Sequence, residues 1–349
     1  MLTINIKHQD KGSARPCDMN ALPQDRAIIM LMSEFASQTG MGVIMADHKS
    51  TKRKEYSNRA RSQRRWFYFF IFPWLFGFLT LTLGPMIFSF AMSFTDWDMF
   101  TQMNFIGLGN YKKLFQDSRF LISVKNTFIY TFMSVPINML LSIAMAYLLS
   151  FRLKGMKIFR TIYYIPAVVP AVASCVLFKN ILATKGILNQ GLAFFGIQGP
   201  RWLLDKEWVL GGFVILALWT VGSTMVLMLS AINSVGEEMY ESAQLDGATR
   251  FQMFCRITVP QISPVIFFNL ITGIIGSMQT FTQVYMLTDG GPDYASSMIV
   301  PYLYKNAFSY YRMGYASSMA WVLFAIVLVF SMLVMKSSSM WVFYEEEMK

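Results

Sequence analysis

Six apolar runs, each long enough to cross a lipid bilayer, decide what this chain can fold into. They fall at 67–93, about 122–150, about 158–182, about 208–233, about 261–287 and about 314–336. A spanning helix needs about 20 mostly apolar residues, and hydrocarbon offers no water to satisfy an unpaired backbone. The runs therefore predict an all-α, polytopic membrane protein with about six transmembrane helices. The third run is the weakest, because Pro166 and Pro170 interrupt "YYIPAVVPAVAS". Prolines are tolerated in a span where neighbours or water satisfy the freed carbonyls.

Charge is scarce and unevenly placed. Only 14% of the 349 residues are charged, against about 25% in a typical soluble domain. The net charge of +10 raises nucleic acid as a partner, but its placement argues for a topology anchor. Lys52, Arg53, Lys54, Arg59, Arg61, Arg64 and Arg65 cluster just before the first run. The connection "FRLKGMKIFR" between the second and third runs carries Arg152, Lys154, Lys157 and Arg160, and no acid. Both sites belong in the cytoplasm by the positive-inside rule, and an even number of spans returns the C-terminus there. Residues 1–65 then read as a cytoplasmic, partly disordered extension ending in a basic anchor. Residues 66–336 form the transmembrane domain and 337–349 a cytoplasmic tail. The connections 94–121, 183–207 and 288–313 face outward.

Several chemistries are excluded. Cys17, Cys175 and Cys255 form no CxxC pair, which argues against a disulfide framework or a zinc site. His8 and His48 both sit in the polar head, so the membrane body has no histidine for catalysis or metal binding. No GxxxxGK[ST] phosphate loop is present. The chain reads as a non-enzyme that binds no cofactor of its own. Paired acids are absent from the spans, which weighs against a proton-coupled carrier.

The stretch "EEMYESAQLDGATRFQMFCRITVP" (237–260) interrupts this pattern on the predicted cytoplasmic side. Ser234, followed at three residues by Glu237, has the form of a capping box. The acids then favour a helix N-terminus. Gly247 suits a left-handed turn that ends this helix. "ATRFQMFCRI" begins a second helix, and Pro260 punctuates the entry to the fifth span. A rigid helix–turn–helix between two spans suits docking into a partner's groove. The bland reading is a solvated connection.

This stretch resembles the EAA loop of ATP-binding-cassette importer permeases. The family pattern is Glu-Ala-Ala, three residues, Gly, nine residues, Ile, one residue, Leu, Pro. Glu241, Ala243, Gly247, Ile257 and Pro260 fall on it; Ser242 replaces Ala and Val259 replaces Leu. "LDGAT", which includes Asp246, is the form of the carbohydrate-transport subgroup. "PWLFGFLTLTLGPMIFSFAMSFTDWD", "FIGLGNYKKLFQD", "FRTIYYIPAVVPAVASCVLFKNIL" and "VYMLTDGGPDYASSMIVPYLYKNAF" extend the resemblance over roughly 66–336. The ensemble is similar to the larger membrane subunit of maltose-type importers, without its large external insert.

The resemblance implies a bacterial or archaeal plasma (inner) membrane permease that forms a heterodimer with a second, homologous permease. Two ATPase subunits would hold the ATP and magnesium, and an extracytoplasmic solute-binding protein would deliver the sugar. Glu241, Ser242, Ala243, Asp246, Gly247, Ile257 and Pro260 would make the ATPase contact. The path would draw on the fourth span (Trp219, Thr220, Ser223) and on a polar stripe along the fifth (Asn269, Gly273, Ser277, Gln279, Thr280, Gln283). Such stripes also pack helices together. The cargo implied is an oligosaccharide; an acidic one, such as an alginate or pectin fragment, is compatible with the basic outer loops. The alternative from another class is a stand-alone secondary transporter or channel, which has no use for a rigid EAA knob.

Overall fold

A computed structural model describes residues 66–151 and 154–343. The extension 1–65, Arg152 and residues 344–349 of the tail lie outside the described residues. The chain divides into two compact units, residues 1–83 and 84–349. All regular structure among the described residues is helical, apart from one isolated bridge between Thr95 and Phe105.

Three helices are long and apolar enough to cross a membrane alone: α1 (Trp66–Met92), α3 (Ser118–Ser150) and α14 (Met313–Ser338). Three bent helix pairs bring the number to as many as six, if each pair is one span. The third is α4 (Met156–Val168) with α5 (Ala171–Ile181), bent by 100°. Pro170 stands at the break, as the sequence predicts, and has no N–H to continue α4. The fourth, expected at about 208–233, is α7 (Val209–Trp219) with α8 (Gly222–Ser234), bent by 49°. Thr220 and Val221 there take carbonyls three residues back. Gly222 lies so close to the Tyr163 carbonyl that a Cβ would stand 2.1 Å from it, so only glycine fits. The remaining pair is α10 (Arg250–Gln261) with α11 (Ser263–Met278), bent by 66°.

Shorter helices join these: α2 (Gly109–Gln116), α6 (Ile187–Phe194), α9 (Glu237–Leu245), α12 (Thr282–Leu287) and α13 (Ile299–Tyr304). The fifth run is therefore not one helix. It stops at Met278, and α12 resumes after residues 279–281.

α3 organises the second unit. Its residues enter three apolar clusters, around Phe213 and Val284, around Met278 and Met319, and around Met225 and Ile262. It starts earlier than the apolar pattern suggests because Asp117 caps it, its Oδ1 accepting from the Arg119 and Phe120 amides at 2.9 and 3.4 Å. The other carboxylate oxygen accepts from the Tyr302 and Tyr315 hydroxyls, each at 2.7 Å. One side chain thus ties α3 to α13 and α14. Burial raises the Asp117 pKa, but these hydrogen bonds outweigh it and hold the carboxyl below its ordinary value. The Tyr302 phenol is pushed up to about 12 by burial and by the same bond.

At its other end, α14 passes into a turn that closes onto α11. The Phe343 amide donates to the buried Ser263 hydroxyl at 2.9 Å, and Trp341 meets Phe267 edge-on.

Candidate functional site

The loop 237–261 is a fixed helix–turn–helix. Gly236, not Ser234, is the N-cap of α9. The Ser234 hydroxyl instead donates to the Ala231 carbonyl within α8, so the predicted capping box does not form. A capping box does form one helix later, where the Thr249 hydroxyl accepts from the Gln252 amide and the Gln252 side chain accepts from the Thr249 amide. Gly247 ends α9 at φ +77°, as its sequence position predicts. The Gly247 amide donates to Gln244 and the Ala248 amide to Ala243, which satisfies two carbonyls at the helix end. The turn is therefore set from both sides.

The two arms are also pinned together. Tyr240 and Thr258 share a hydroxyl hydrogen bond of 2.9 Å, with Thr258 fully buried. Tyr147, near the end of α3, packs on Phe254 at 4.5 Å and donates to the Arg250 carbonyl. The tip is open. Glu241, Ser242, Asp246 and Gly247 are exposed, Ala243, Ile257 and Pro260 half-buried, and Leu245 and Phe251 stand 90% and 74% exposed. Pro260 does not open the fifth span. The helix runs past it to Gln261, after a π turn at Phe254–Thr258, and bends at the buried Ile262. A single residue joins the loop to α11.

α11 lines a cleft of about 380 Å³ between α3, α7, α8 and the start of α12. The cleft gathers seven of the nine predicted path residues: Thr220, Ser223, Asn269, Gly273, Ser277, Thr280 and Gln283. Trp219 lies outside its lining and packs edge-on against Phe178 at 5.6 Å. Gln279, the C-cap of α11, is outside it too. Thr280 and Gln283 still face the cleft although the helix has broken before them.

A further wall of the cleft comes from α3. Tyr130, Ser134 and Asn138 of α3 line the cleft, spaced four residues apart. That spacing is a helical face and was available as a signal. Two bonds fix this wall to the fifth span. The Tyr130 hydroxyl donates to Gln283 at 3.1 Å, and Ser277 donates to Thr131 at 3.0 Å. Ser277 thus both lines the cleft and holds two helices together. No side chain in the lining carries a charge; hydroxyls and amides supply its polarity.

Bent spans beside an uncharged polar cleft, with a rigid exposed loop continuous with the cleft's own helix, suit a membrane permease. The chain belongs to the binding-protein-dependent transport system inner membrane component family, whose description matches residues 115–339. Among curated relatives, the probable ABC transporter permease YesP of Bacillus subtilis is 38% identical over 285 residues, covering 80% of this chain and 92% of that one. The lactose transport system permease LacF of Rhizobium radiobacter is 32% identical over 259 residues, covering 72% and 86%. A solved bacterial ABC transporter involved in importing the acidic polysaccharide alginate superposes with a TM-score of 0.69 at 27% identity, covering 79% and 96%. The chain is thus a sugar permease of an ABC importer, an inner membrane transport component rather than an enzyme.

Proposed function

We propose that this chain forms one half of a sugar translocation path, with a second, homologous permease supplying the other half. The sugar is an oligosaccharide handed over by an extracytoplasmic binding protein. Both termini and the loop 237–261 face the cytoplasm, where the loop docks on ATPase subunits. ATP and magnesium are held by those subunits, and this chain binds no cofactor. The names of the relatives support a carbohydrate cargo; the alginate system supports an oligosaccharide handed over by a periplasmic protein. An acidic cargo finds no counter-charge in this chain's share of the cleft.

The observation that carries this reading is the direct join between the loop and the cleft. A push on the exposed tip passes through α10, pinned at Tyr240–Thr258, across Ile262 and into α11. Packed elements of this kind move as bodies rather than deform. Glu241 supplies the tip with an anion for a basic partner group. Leu245 and Phe251 supply apolar surface that water disfavours.

Co-purification tests the docking half of the reading. The wild-type chain is expected to retain its ATPase and second permease in detergent. Leu245→Asp with Phe251→Asp should lose the ATPases and keep the permease partner. Full retention of the ATPases in that variant would overturn the assignment.

A further inference from the structure

Resting on the reading of the cleft as a sugar path, we propose that the Ser134 hydroxyl, on the second span, is a specificity-determining contact. It exchanges hydrogen bonds with a hydroxyl group of the sugar in transit.

One buried hydroxyl of α3 is unmatched. α3 buries five Ser and Thr hydroxyls, at Ser123, Thr127, Thr131, Ser134 and Ser142. Ser123, Thr127 and Ser142 donate to the carbonyl four residues back, at 2.7 to 2.8 Å. Thr131 accepts from Ser277. Ser134 is only 4% exposed, and its Oγ has no hydrogen-bond partner. The Tyr130 hydroxyl donates to Gln283 and interacts with Ser134 only outside normal hydrogen-bond geometry, so it does not satisfy the Ser134 hydroxyl. A buried hydroxyl offers one donor and two acceptor sites, and leaving them unmet is costly. Native proteins keep few such groups, and each asks for a reason.

Position supplies the reason. Among the described residues, the other buried groups without partners are the Ser174 and Ser331 hydroxyls and Arg160 Nε, and none of these lines the cleft. Ser134 does, between Tyr130 and Asn138 on one face of α3, in a lining that also holds Thr280 and Asn269. The surroundings are neutral, so the matching ligand group is itself neutral and able both to donate and to accept. A sugar hydroxyl meets both requirements. A site that buries a hydroxyl to meet a substrate hydroxyl also rejects analogues that lack it.

The test uses the complete importer in proteoliposomes, with its second permease, ATPases and binding protein. Uptake is measured with whichever of lactose, maltose, trehalose, arabinotriose or an alginate pentasaccharide the wild type carries. Ser134→Ala is expected to lower uptake roughly fivefold, the worth of one hydrogen bond, while the Tm of the complex stays the same or rises. A fall in Tm alongside uptake would overturn the proposal, because Ser134 would then be an ordinary structural hydroxyl bonded within the protein. Normal uptake in Ser134→Ala, with uptake impaired in Asn269→Leu and Thr280→Val, would overturn it and leave the path reading standing. Normal uptake in all three variants would remove the path reading and this contact together.

Discussion

The hydroxyls of Tyr240 and Thr258 lie 2.9 Å apart and join the two arms of the loop 237–261. Thr258 is buried, so the bond is shielded from water at one end. It acts with the turn and the long Gln261–Met239 contact of 3.7 Å to fix the angle of the first arm. Tyr240→Phe is predicted to lower sugar-stimulated ATPase activity severalfold while leaving membrane insertion unchanged. Thr258→Val should do the same. A double-mutant cycle should find the two effects clearly non-additive, since each removes the same bond. The check is ATPase activity in reconstituted complexes of all four forms.

Gly247 makes a separate prediction, because its constraint is conformational rather than spatial. A Cβ there meets nothing within 4 Å, yet φ is +77°. A left-handed backbone costs an ordinary residue about 1–2 kcal/mol and asparagine less. Coupled uptake should therefore fall in the order Gly247, Gly247→Asn, Gly247→Ala, Gly247→Pro. Equal activity in the alanine and asparagine variants would show that the turn does not need this geometry.

Tyr130 donates across the cleft to Gln283 while its ring packs edge-on against Phe213 at 6.5 Å. Tyr130→Phe removes the bond and keeps the ring. Thermal denaturation of the purified complex should show a loss of about 1 kcal/mol, as for a typical internal hydrogen bond. An unchanged Tm would mean that the bond contributes nothing net.

Asp117 and Tyr302 predict opposite pH limits for one junction. The Asp117 carboxyl titrates below its ordinary 3.8, so its contribution is complete above about pH 4 and is lost as pH falls through the lowered value. Tyr302 is raised from 10.0 to about 12, so its contribution is complete below pH 10 and is lost as pH climbs towards 12. Asp117→Asn should flatten the acid limb of a Tm-against-pH curve. It should also destabilise the protein near pH 7 by about 1–2 kcal/mol through loss of the charged acceptor for the Tyr302 and Tyr315 hydroxyls, while asparagine keeps the cap.

Hydrophobic run length made the helices legible, because the need to satisfy the backbone in lipid leaves few alternatives. It could not show the bends. The 100° break follows from Pro170, which acts locally, whereas Pro166 is accommodated inside α4. The break after Trp219 depends on the close approach of Gly222 to Tyr163, a contact 59 positions distant in sequence that no local pattern reports. The loop's turn was legible at Gly247, since only backbone chemistry sets it. Its cap was misplaced from Gly236 to Ser234 because hydroxyls can satisfy either the helix they precede or the one they end. In the cleft, the fifth-span stripe was readable as a polar face. The α3 wall is hard to read from the sequence because Tyr130, Ser134 and Asn138 are diluted in a 33-residue helix with polar groups on other faces too.

The central claim is that the exposed tip drives the cleft. It is tested most directly by sugar uptake and sugar-stimulated ATPase activity in complexes carrying Glu241→Lys or Gly247→Pro, with insertion verified by protease protection. Both activities are predicted to fall together, to near background, with the chain normally inserted. Normal coupled uptake in both variants would contradict the account.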